Sequence, residues 1–124
     1  MNSAQILVAT ALTTLMLSGC SILGAVDSLR SFSSDPLVKA ATEDTRATKK
    51  SVMAVGKQPT KIQPTKMIQG ACYDFILTSG NKFSPFYVAF NKEDQVVAAS
   101  FITCAEAESK GVINNELPYI DRKK

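Results

Sequence analysis

The sequence predicts a small α+β domain, with two short helices packed on one face of a three-stranded antiparallel meander. Three observations predict it. The apolar spacing changes at Gly70 from a helical repeat to strict alternation. Two helix-start signals, Asp35-Pro36 and Thr48, stand before that change. After it, three β-rich runs are joined by connections too short for crossover helices, so neighbouring strands must run antiparallel. A chain of 124 residues has room for one such domain.

The elements follow in order. Asp35 offers a side-chain oxygen to the orphan amides of a helix, and Pro36 loses no hydrogen bond at the first helical position. Leu37, Ala40 and Ala41 then recur at helical spacing and carry the first helix to about Glu43. Thr48 opens a second helix, with Val52 and Val55 at i+4 and i+7. Gly56 is placed to end it in a left-handed conformation, and Pro59 prevents its continuation. Lys49 and Lys50 oppose the helix dipole in the first turn and read as a solvated face. Pro59 to Gln69, with two prolines and little periodicity, reads as an extended connection. From Gly70 onward Tyr73, Phe75 and Leu77 alternate with Cys72, Asp74 and Ile76, which describes a strand. Ser79-Gly80-Asn81 marks a turn. Phe86 to Phe90 reads as the second strand, entered through Pro85, and Asn91 to Asp94 as a hairpin loop. Gln95 to Cys104 reads as the third strand, with Val97, Ala99 and Phe101 on one face. Phe75, Phe90 and Phe101 are expected in the core.

The charges are placed unevenly. The chain has 14 basic and 11 acidic side chains, yet none lies between Met1 and Gly19. Within that neutral stretch, Ile6 to Leu17 is apolar except for Thr10, Thr13 and Thr14. It is shorter than the roughly 20 residues a membrane span requires and has the length of a secretory signal's apolar region. Leu17-Ser18-Gly19-Cys20 then has the order of a bacterial lipobox: a branched apolar residue, two small residues that admit a peptidase, and the cysteine to be acylated. The expected organisation is a leader over residues 1–19, a lipidated Cys20 with a Ser-rich tether over 20–34, the α+β domain over 35–108 and a tail over 109–124. An acylated Cys20 would carry about three chains, and at ~0.8 kcal/mol per buried methylene it would hold the lipid bilayer permanently. Ser21, where an Asp would mark retention at the inner membrane, points to the outer membrane.

Composition narrows function. The chain has no histidine, which removes the commonest general base and most zinc and iron site designs. A net charge of +3 without clustering does not suit a nucleic-acid partner. Asp74, Glu93, Asp94, Glu106 and Glu108 are the acids near the sheet, and none pairs with a nucleophile and base; no phosphate-cradling loop is present. No enzyme, cofactor or metal site is expected. Glu106 and Glu108, two apart in an extended segment, would face the same way into solvent, as would the basic tail Asp121 to Lys124.

Cys72 and Cys104 present a conflict. Regular strands place one at the start of the first strand and the other at the end of the third, on the order of 20 Å apart, whereas a bridge needs Cα atoms within ~7 Å. Either the chain bends back after about Ser100, or Cys72 precedes the sheet proper, or both thiols stay free.

Gly70 to Leu77, Tyr87-Val88-Ala89-Phe90 and Phe101-Ile102-Thr103-Cys104-Ala105-Glu106 resemble the osmotically inducible lipoprotein E group. That group lies within the SmpA/OmlA family, which includes the small E lipoprotein of the outer-membrane β-barrel assembly machine. The resemblance covers about Thr45 to Glu108 and the lipidated start. It implies two helices on a three-stranded antiparallel sheet, and a bridge between Cys72 and Cys104. It also implies a non-enzymatic lipoprotein on the periplasmic face of the outer membrane, with an envelope protein as partner, supporting envelope integrity or assembly under osmotic stress. A component of the assembly machine itself and a periplasmic ligand-binding or inhibitor module are the alternatives. The sequence departs from the group at two turns: Arg46-Ala47-Thr48 replaces a glycine-containing helix start, and Glu93-Asp94 stands where Asp-Gly is frequent.

Overall fold

The structure, a computed structural model, describes residues 31–42 and 47–118. The leader, Cys20, most of the tether, the expected helix end at Glu43 and the basic end of the tail lie outside these residues. The elements are helices α1 (Pro36–Thr42) and α2 (Lys49–Met53), strands β1 (Lys61–Pro64), β2 (Gly70–Ser79), β3 (Lys82–Asn91) and β4 (Val96–Ser100), and helix α3 (Cys104–Ser109). The strands form one antiparallel sheet in the order β1-β2-β3-β4.

Both expected helix starts are used. Asp35 Oδ1 accepts from the Leu37 N–H at 2.9 Å, and Leu37, Val38 and Ala41 are buried. Thr48 forms a reciprocal cap with Ser51: each hydroxyl accepts from the other's backbone N–H, at 3.2 and 2.9 Å. The helix closes at Met53, before Val55 can join its apolar stripe, so Val55 is exposed; Gly56 takes φ +92° just beyond. Lys49 is not the solvated charge expected. Its N–H donates to the Asp94 carbonyl at 2.8 Å, and its Nζ lies 3.4 Å from Asp94 Oδ1 and 5.8 Å from the Tyr73 ring centroid. The Tyr73 side chain first, and Asp94 with it, raises the ammonium pKa above the usual lysine value. The charge that opposes the α2 dipole is thereby matched by a carboxylate from the β3–β4 turn.

The sheet has four strands where three were expected. The additional one, β1, comes from the segment read as a connection: Lys61 lies opposite Asp74 and Pro64 opposite Ala71. It is a short edge strand with neither face fully buried, so no apolar alternation announces it. Gly70 starts β2 because a Cβ there would collide with the Phe90 carbonyl of β3. Strand β3 begins at Lys82, earlier than Phe86. Pro85 sits within it, because β4 pairs β3 only as far as Tyr87 and leaves no ladder on that side to break. The β3–β4 turn is organised by buried Asn91, whose Oδ1 accepts from Glu93 and Gln95 N–H, each at 3.0 Å. Asp94 takes φ 61° there, a conformation that Asp tolerates where glycine is commoner.

Two cores lie on opposite faces. Under α1 and α2, Leu37, Val52, Phe75, Leu77, Phe86 and Phe90 are fully buried. On the other face Cys72, Tyr87, Ala89, Val97 and Ala98 lie against Cys104 and Ala107 of α3 and against Ile113. Helices therefore cover both faces, not one. A bulge in β4 separates the pairs Ala89–Ala98 and Phe90–Val96, leaving Val97 as the extra residue. It shifts the alternation, so Val97 joins the second core while Ala99 and half-buried Phe101 pack toward the first; the Phe101 ring centroid is 5.2 Å from that of Phe86. The packed unit also reaches beyond residues 35–108, since Phe32 is buried in the first core and Ile113 in the second.

Candidate functional site

Cys72 and Cys104 form a disulfide, with Cα atoms 5.9 Å apart. The register explains how topology permits it. Cys72 lies opposite Ala89, which pairs in turn with Ala98 of β4. Strand β4 ends only two residues later, at Ser100, level with Tyr87 and hence with Asp74. The chain then turns over the second face and Thr103 caps α3, its side chain accepting from Glu106 N–H at 3.1 Å. Cys104, in the first turn of that helix, drops onto Cys72. Strand β4 does not run to Cys104, and of the three arrangements left open by the sequence the chain adopts the bend after Ser100.

Asp74 completes the junction. Alternation places it on the face of Cys72, and its Oδ1 accepts from the Cys104 N–H at 2.8 Å. Thr103 and Asp74 between them satisfy two orphan amides of α3, and a carboxylate at a helix N-terminus also favours the dipole. Asp74→Ala should therefore destabilise the domain by about 0.5–2 kcal/mol, the usual cost of a lost cap. Asp74→Asn, which keeps the acceptor oxygen, should recover most of it. Urea melts of the three proteins check this.

Two of the other acids near the sheet are also structurally engaged. Asp94 pairs with Lys49, and Glu108 Oε2 accepts from the Lys66 N–H at 2.7 Å, fastening the loop that leads into β2. Glu106 and Glu108 lie on a helix rather than in an extended segment, so they point to different sides: Glu106 is exposed and Glu108 half-buried. Among the described residues no three Cys, Asp or Glu side chains gather closely enough to hold a metal ion.

Surface features suited to binding lie elsewhere. The outer edge of β1 pairs with no strand among the described residues, and Ile62 on it is 55% exposed. An open depression lies between the loop around Lys66 to Gln69 and the side chains of Lys92 and Glu116. At the opposite end of the sheet the β2–β3 hairpin exposes Phe83 and Ile76.

Comparison with protein families found no matching family, and comparison with curated proteins found no match. Among solved structures, a crystal structure assigned to the osmotically inducible lipoprotein OsmE matches with a TM-score of 0.60 and 27% identity, over 68% of this chain and 94% of that one. The chain has an OsmE-like fold. The likeness spans almost the whole of the other chain, so the OsmE-like unit is the domain itself and not one motif within it. The expected lipoprotein agrees with the comparison, and the expected bridge with the disulfide.

Two features of the OsmE-like domain were not anticipated from its sequence. The capping role of Asp74 becomes visible only when Cys104 is known to open a helix, although Thr103 followed three residues later by Glu106 is a helix-start signal. Phe83 is exposed because its phase places it on the second face, beyond the part that α3 covers. In β3 it shares parity with Tyr87 and Ala89 and not with the Phe86, Val88 and Phe90 set of the first core.

Proposed function

We propose that this chain is a lipid-anchored binding protein of the bacterial envelope, without catalytic activity, held at the periplasmic face of the outer membrane through acylated Cys20. There it supports envelope integrity or outer-membrane assembly under osmotic stress, through an envelope protein partner. The observation that carries the reading is the OsmE-like fold joined to a neutral leader ending in Leu17-Ser18-Gly19-Cys20. The Cys72–Cys104 bridge supports it independently, because disulfides persist in oxidising compartments such as the periplasm. Separation of inner and outer membranes on a sucrose gradient tests the location. The protein is expected in the dense outer-membrane fractions, and recovery with the inner membrane or in the soluble fraction would overturn the assignment.

A further inference from the structure

We infer that the tip of the β2–β3 hairpin is a second membrane contact, through which the domain rests on the bilayer that holds its acyl chains. The inference builds on the lipid-anchored reading. It begins with where the tether joins the domain. Phe32 is buried in the first core, and the neighbouring Ser31 Oγ lies 3.4 Å from Lys82 Nζ at the start of β3. The chain from Cys20 therefore enters beside the hairpin tip. Its eleven residues reach at most roughly 36–40 Å even when fully extended. The other end of the sheet, where Asn91 donates to the Glu116 carbonyl, lies the length of a ten-residue strand away, roughly 30 Å. The tether joins the domain at the hairpin tip, so the tip always stays within that reach of the bilayer, whereas the far end can stand off by a further sheet length.

The tip is built for that surface. Ile76 lies opposite Pro85 and Thr78 opposite Phe83, so Ile76, Phe83 and Pro85 share the second face of the sheet. Helix α3 covers that face only over Cys72, Tyr87 and Ala89, and beyond it Phe83 is 71% and Ile76 42% exposed. The two lie diagonal to one another on that face, so the ring and the branched chain expose one continuous apolar surface. From Phe75 to Asn91 the chain carries no acidic side chain and one basic one, Lys82. Burial of Phe83 and Ile76 among the upper acyl carbons, with the Lys82 ammonium at headgroup level, meets no like-charge repulsion from an anionic leaflet. A soluble protein partner would leave the coincidence of tether entry, apolar tip and missing acids without a cause.

The chain has no tryptophan, so Phe83→Trp supplies a single reporter at an exposed position where folding tolerates it. The full-length acylated protein carrying this change is reconstituted into vesicles of phosphatidylethanolamine and phosphatidylglycerol, with and without brominated acyl chains. Emission is expected to shift to the blue on reconstitution and to be quenched by the brominated lipid. Leu117→Trp, next to Glu116 at the far end, is expected to show neither effect. A protein that floats with the vesicles while the indole introduced at position 83 stays unshifted and unquenched would overturn the docking and leave the anchor standing. A blue shift without bromine quenching would place the tip against a second copy and also overturn it. Equal quenching at both positions would overturn the end-on orientation. A protein that fails to float would overturn the anchored reading, and the docking with it.

Discussion

Cells producing the Cys20→Ala chain should incorporate no labelled palmitate into the protein and should release it from the membrane. The effect is expected to be nearly complete, because the anchor is a sum over methylenes. Each buried CH₂ contributes ~0.8 kcal/mol, and two or more acyl chains give stable anchoring, whereas a few interfacial side chains bind reversibly. Nothing among the described residues substitutes for it, since none of the helices there is long and apolar enough to cross a membrane. The hairpin contact at Phe83 and Ile76 should slow the loss without preventing it. Fractionation of labelled cells, with a wash free of detergent, checks both parts. Retention of the Cys20→Ala protein through that wash would sink the lipoprotein reading, while retained labelling would place the acyl chain on another residue.

The second large effect concerns the bridge. Cys72 and Cys104 are separated by 32 residues along the chain. Closing a loop of that size restricts the unfolded ensemble by ~3–4 kcal/mol in the chain-entropy treatment, within the typical range for native disulfides. For a domain this small, such a loss corresponds to a fall in melting temperature on the order of 10–30 °C. Paired substitution of both cysteines by alanine, which avoids a stray thiol, should therefore lower the midpoint by that amount, and reduction of the native protein should do the same. Two freely alkylated thiols in freshly isolated protein would contradict the bridge. The loss should fall most heavily on α3, which has six residues and is far below the length at which a helix stands alone in water.

Local signals account for most of what was legible in the sequence. Asp35-Pro36 and Thr48 set helix starts through chemistry contained within a few residues, and both helices begin there. The alternation through Tyr73, Phe75 and Leu77 named the strand but not the cover on its second face, and Phe75 and Phe90 are in the core. What was illegible depended on partners distant in sequence. Strand β1 exists because β2 offers an edge, and its own side chains carry no pattern. The Val97 bulge leaves no mark in composition, because Val, Val, Ala and Ala suit either face equally well. That one inserted residue changed which face Val97 serves. The turn of the chain at Ser100 was legible only as one of three ways around a geometric conflict. Asp74 was visible as an acid near the sheet, but its task depends on an amide thirty residues further along.

The fastening of α2 has a consequence for the order in which the protein can take shape. Two backbone hydrogen bonds secure that region, Lys49 N–H to the Asp94 carbonyl and Val96 N–H to the Ala47 carbonyl, and together they make the bridge pairing of Thr48 with Gln95. Asp94 and Val96 both lie in or beside the β3–β4 turn. A chain exported from its amino terminus presents the helical segment first, in an aqueous space that offers it nothing to lean on. Five residues of α2 cannot hold a helix alone, so that segment stays extended and threadable until Asp94 to Val96 have followed it through. The late turn then acts as a latch, and closure of the domain coincides with completed passage of the sheet rather than with first emergence. Under the export proposed for this chain, a channel would meet no early folded obstacle at this segment, by the wiring of the fold itself.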